Sequence, residues 1–143
     1  MTGLAELCAQ ALGREAAQPA IEFEGRWLNW GDMRRVADRL QALIDACGAG
    51  PSAAVAFAPR NRPSAVAALI GLVAASRTIK MIYAFQSGAG IARDIERLEP
   101  AIVVVPDLGS AANQSGGGRR LAPPPLGQRR TRMYVVSRVA VGQ

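Results

Sequence analysis

Residues 53–75 read AAVAFAPRNRPSAVAALIGLVAA, and their order decides the fold. Residues 53–58 form a short, unbroken apolar run, the pattern of a strand covered on both faces. Pro59-Arg60-Asn61-Arg62-Pro63 is a loop, and residues 64–75 make a helix too apolar to face water on any side. A strand with no solvent face must lie inside a sheet that carries helices on both sides.

The pattern repeats downstream. Residues 78–83 read as a strand, Gly88-Ala89-Gly90 opens a helix with Ile91, Ile95 and Leu98 inward, and Pro100 ends it. Residues 101–105 (AIVVV) are the clearest buried strand of the chain. Upstream, Leu4, Leu7, Cys8, Ala11 and Leu12 recur at helical spacing, with Thr2 placed to cap the start and the helix fading near Ala17. Residues 20–24 (AIEFE) alternate like a half-buried strand, Glu24-Gly25-Arg26 turns, and Trp27-Leu28 return as a hairpin.

At the junction that follows, Asn29 is placed to accept from first-turn amides and Asp32 to reach back, as in a capping box. Met33, Val36, Ala37, Leu40, Leu43, Ile44 and Cys47 form one stripe, closed by Gly48-Ala49-Gly50-Pro51. The fold class is therefore α/β: an N-terminal hairpin, then alternating helices and mostly parallel strands, then a disordered basic tail.

Charge divides the chain. Eleven acidic and eleven basic residues balance over residues 1–108, whereas residues 109–143 carry Arg119, Arg120, Arg129, Arg130, Arg132 and Arg138 and no acid. The whole net charge of +6 sits in that last segment, beside Gly116-Gly117-Gly118 and Pro123-Pro124-Pro125. Two domains of organisation are expected, 1–108 and 109–143. A zinc site of ordinary composition is excluded by the absence of histidine and of any C-x-x-C pair; Cys8 and Cys47 are expected as buried reduced thiols. No basic-then-apolar leader opens the chain, and the longest uncharged apolar segment, residues 65–75, is eleven residues against the roughly 20 that span a bilayer. A cytoplasmic location is the expectation.

Trp27-Leu28-Asn29-Trp30-Gly31-Asp32-Met33, followed by Ala37-Asp38-Arg39-Leu40 and Cys47-Gly48-Ala49-Gly50-Pro51, resembles the opening of the adenylate-forming, AMP-binding ligases, among them acyl-CoA synthetases. Val55-Ala56-Phe57-Ala58-Pro59-Arg60-Asn61-Arg62-Pro63 is similar to that family's next segment, and Gly71 stands where its following helix has a glycine. The resemblance covers roughly residues 4–108. Two departures stand out: Ser64 occupies a position often held by Glu, and Lys80 interrupts the strand at residues 78–83. A lysine buried there without a partner costs several kcal/mol, so it must face solvent or mark an edge strand.

The resemblance implies ATP-dependent activation of a carboxylic acid, of fatty type, to acyl-AMP and then a thioester, with ATP, Mg²⁺ and coenzyme A as the family's cofactors. It also implies a Ser/Thr/Gly loop with Lys for the triphosphate, which this chain lacks; its one lysine is Lys80. Ser110 to Gly118 is the nearest substitute, but it lacks a G-K-[ST] ending and reads as a linker. Gly88-x-Gly90 is one glycine short of a dinucleotide fingerprint, and Glu22 and Glu24 alternate on an exposed face. No catalytic, cofactor-binding or metal residue is therefore assigned, and the chain alone is expected to be inactive and marginally stable. Its expected partners are the remainder of a ligase or a full-length homologue.

Two readings compete for residues 109–143. One is an arm that binds nucleic acid through Arg129-Arg130-Thr131-Arg132 with Tyr134 stacking. The other is sequence without a selected role, read after a truncation or frameshift. Met133-Tyr134-Val135-Val136 is strand-like, with no partner evident from the sequence.

Overall fold

A computed structural model describes residues 3–106 and 132–136. Helix α1 spans Leu4–Leu12, and its N-cap is Gly3, without a side-chain cap. It ends well before Ala17, because Gly13 closes the last turn through backbone bonds to Ala9 and Gln10. The Thr2 cap lies outside the described residues.

Strands β1 (Pro19–Phe23) and β2 (Arg26–Asn29) pair antiparallel, with Glu22 opposite Trp27 and Phe23 opposite Arg26. Glu24 and Gly25 both have positive φ, at 52° and 76°. That is the signature of the two-residue turn whose twist matches a hairpin. The Glu22 carboxylate accepts from the Gly25 amide at 3.0 Å, so this acid serves the turn.

Helix α2 (Trp30–Ala46) begins with the reciprocal cap read from the sequence. Asn29 Oδ1 accepts from the Asp32 amide at 2.8 Å, and Asp32 Oδ2 accepts from the Asn29 amide at 3.1 Å. Met33, Val36, Ala37, Leu40 and Ile44 of the stripe are buried, with Leu43 and Cys47 at its margin.

Strands β3 (Val55–Phe57), β4 (Ile79–Met81), β5 (Ile102–Pro106) and β6 (Arg132–Val136) form one parallel sheet in the order β4-β3-β5-β6. Helix α3 (Pro63–Ala74) joins β3 to β4, and helix α4 (Gly88–Leu98) joins β4 to β5. The apolar strands sort their side chains by parity. Val55, Phe57, Ile102 and Val104 pack with α2 and α3, while Ala56 and Val103 join Ile82, Ala84 and, from α4, Ile91, Ile95 and Leu98. An unbroken apolar strand thus supplies two separate cores, one on each face of the sheet. Leu12, Ala20, Ile21 and Trp30 extend the first of these cores towards α1 and the hairpin.

Four expectations need correction. Met133-Tyr134-Val135-Val136 does have a partner: these residues belong to β6, which runs parallel to β5 with Val103 opposite Met133 and Val105 opposite Val135. The disordered tail expected over 109–143 is thus interrupted by a strand, and its remainder lies outside the described residues. The all-apolar helix α3 does meet water, since Val66 is exposed while Ala65, Ala67, Ala68 and Leu72 are buried. Cys8 and Cys47 are half-buried, not buried, and the Cys47 thiol donates to the Leu43 carbonyl oxygen at 2.7 Å.

Candidate functional site

The two crossovers that leave β3 and β4 diverge. Residues 59–62 lead from β3 to α3 on one face, and residues 82–87 lead from β4 to α4 on the other. Neighbouring parallel strands whose outgoing loops part in this way open a crevice at their carboxyl ends, the usual position for ligands in open α/β sheets. Such a cleft is present here, with a volume of about 400 Å³, lined by Pro59, Asn61, Met81, Ile82, Tyr83, Ala84 and Phe85.

Its floor is fixed by backbone bonds. The Ile82 amide donates to the Phe57 carbonyl oxygen at 2.9 Å, and the Ala58 amide donates to the Val104 carbonyl oxygen at 3.1 Å. Above that floor the chain keeps strand parity past the end of β4. Ile82 and Ala84 turn inward and are buried, whereas Met81, Tyr83 and Phe85 stand outward, 55%, 67% and 56% exposed. The Tyr83 and Phe85 rings are 5.8 Å apart and tilted by 52°, an edge-to-face-like pair. The Arg60 guanidinium lies over the Phe85 ring at 5.6 Å.

The described lining is mainly apolar and aromatic. Among the described residues the lining offers one amide, one phenol and a guanidinium at the rim, with no carboxylate, thiol or imidazole for proton transfer. A triphosphate needs several cations and amides, and a divalent cation needs clustered oxygen donors. Arg60 alone meets the first requirement in part, and among the described residues no group of three or more His, Cys, Asp or Glu gathers. The described residues do not fit a nucleotide triphosphate or Mg²⁺.

The other residues weighed from the sequence have structural duties. Glu22 and Glu24 are both exposed in the hairpin turn. Gly88 and Gly90 open α4, where Ser87 Oγ accepts from the Gly90 amide at 3.2 Å. A Cβ on Gly90 would fall 2.4 Å from Gln86 Oε1, the end of a flexible side chain that can swing aside. Lys80 lies on β4, the edge strand, half-buried, with its Nζ donating to the Leu98 carbonyl oxygen. Ser110 to Gly118 fall outside the described residues. The trio Met81, Tyr83 and Phe85 was missed, although its signal was present: three large apolar residues of one parity beside small or buried residues of the other.

The comparisons with known proteins agree with this architecture. The profile of the AMP-binding enzyme family matches residues 8–139, nearly the whole chain, and the chain belongs to that family. The match takes in β6 and the arginine-rich segment before it. The medium/long-chain-fatty-acid–CoA ligase FadD6 of Mycobacterium tuberculosis is 29% identical over 100 residues, covering 69% of this chain and 17% of the ligase. Among solved structures, CmiS6 superposes with a TM-score of 0.62 at 20% identity, over 92% of this chain and 30% of its own. MatB from Rhodopseudomonas palustris gives 0.59 at 20% identity, over 76% of this chain and 22% of its own. The chain therefore spans between about a sixth and a third of the length of these relatives.

Proposed function

We propose that this chain is the opening α/β unit of an adenylate-forming acyl-CoA ligase acting in the cytoplasm on fatty acids. The observation that carries this reading is the family match over residues 8–139, which takes in the hairpin, the capped helix and the parallel sheet. The similarity to a medium/long-chain-fatty-acid–CoA ligase supports the fatty acyl class. In such an enzyme ATP with Mg²⁺ activates the carboxylate and coenzyme A receives the acyl group. The residues of this chain contribute scaffold: the sheet that orients the cleft, and the apolar and aromatic rim of the cleft. On this reading the triphosphate and the metal are held elsewhere in the ligase, and the chain by itself is expected not to turn over.

The test is ATP–pyrophosphate exchange with the purified chain, across fatty and aromatic acids. Exchange at background is expected for every acid, and clear turnover with any of them would reject the inactivity. The acyl class is read separately. The chain is fused in place of the matching segment of a fatty-acyl ligase, and the fusion is assayed for retained preference for long acyl chains. The nucleic-acid reading gains nothing from the fold, since Arg132 belongs to a strand of the sheet.

A further inference from the structure

We infer that Met81, Tyr83 and Phe85, with Arg60 at their rim, form the docking surface for the remainder of an adenylate-forming domain; this rests on the function proposed above. Exposed apolar residues scattered singly are ordinary on any protein, as Trp27 and Val66 are here. These three differ by standing in alternation on one side of one segment, each more than half exposed, with two aromatics in ring contact. A segment whose inward residues are already buried and whose outward residues are large and apolar belongs under a further layer of protein.

The occupant follows from three observations. The cleft is wide and shallow in polar anchors: Asn61 and the Tyr83 phenol are the polar side chains of its lining, too few to orient a small ligand. The chain covers 17% to 30% of the relatives it matches, so most of an adenylate-forming domain is available to cover this end of the sheet. The Arg60 guanidinium lies over the Phe85 ring at 5.6 Å, which sets a positive charge at the rim of this apolar surface. The covering surface is accordingly apolar with an acidic residue opposite Arg60.

The experiment mixes the full chain with the fatty-acyl-CoA ligase relative from which the matching residues have been deleted. Binding is titrated calorimetrically, and ATP–pyrophosphate exchange is followed in the same mixtures. Wild-type chain is expected to bind, and the Tyr83→Asp/Phe85→Asp double variant to bind at least tenfold more weakly. Val66→Asp, a charge on an exposed apolar residue of α3, should bind like wild type. Equal binding by the double variant, or no binding by the wild-type chain to a folded truncated ligase, overturns the docking surface. Binding through the surface without any exchange with fatty acids would leave the docking intact and reject the proposed function. Should the truncated ligase not fold, the fusion described above serves. There Tyr83→Asp/Phe85→Asp should lower the thermal midpoint and Val66→Asp should not, and equal midpoints overturn the proposal.

Discussion

Gly71 of α3 faces Ala37 of α2 so closely that a Cβ on Gly71 would lie 2.7 Å from the Ala37 Cβ and 3.1 Å from its Cα. Neither atom is the end of a flexible side chain, so the helices themselves must part to admit a methyl group. Gly71→Ala gains about 1 kcal/mol in helix propensity but incurs overpacking of roughly 1–3 kcal/mol. A net loss of about 1 kcal/mol is expected in urea denaturation, with a larger one for Gly71→Val. Adding Ala37→Gly should recover part of the loss, as a favourable interaction energy in a double-mutant cycle. A Gly71→Ala protein more stable than wild type would refute the close approach.

The cap at Asn29 is the second test. Asn29→Ala removes the acceptor of the Asp32 amide and should cost about 0.5–2 kcal/mol. Asp32→Ala leaves that bond in place and should cost less. Thermal denaturation of the two variants ranks them, and the reverse ranking would mean that the carboxylate carries the cap.

Arg77 offers a contrast between a buried cation and its exposed partner. Its side chain is 4% exposed and donates to the Gly50 carbonyl oxygen at 2.6 Å, while Asp45, at 3.3 Å, is 62% exposed. An exposed carboxylate contributes little to such a pair, on the order of 0–1 kcal/mol. Asp45→Asn should therefore be nearly silent, whereas Arg77→Ala should lose about 1–3 kcal/mol with the carbonyl bond and the packing of its stem. High salt should barely move either value. Equal losses would show that the ion pair, not the carbonyl bond, holds this corner.

The strand β6 can be tested by removal. A chain ending at residue 106 uncovers the edge of β5 that pairs with β6. Amide exchange at Ile102, Val103 and Val104 should then quicken by about tenfold or more, while β1 and β2 keep their rates. Unchanged protection in β5 would place residues 132–136 outside the sheet.

How far the sequence discloses this molecule depends on how local each feature is. The Asn29–Asp32 cap lies within a single turn of chain and was legible from residue types alone. The two-faced sheet was legible because apolar runs in strands and helices leave no other packing. Cost left Lys80 either facing solvent or on an edge strand, and β4 is the edge. The partner of β6 was not legible, because its pairing joins residues about 30 positions apart in sequence. Arginine, glycine and proline before it dominated the reading and concealed a five-residue strand. The cleft escaped notice for a different reason: its residues come from two loops that only the strand order brings together.

One feature of the edge bears on how this protein meets other proteins. β4 is three residues long with Lys80 at its centre, and that ammonium is tied back to the end of α4. A strand added from outside would have to lie along a segment too short to hold it, against a charge that water would have to leave. Lys80 is in this sense a gatekeeper against strand-on-strand polymerisation. Association at this end of the sheet is left to side chains meeting across the carboxyl ends, which can be selective where open backbone edges are not.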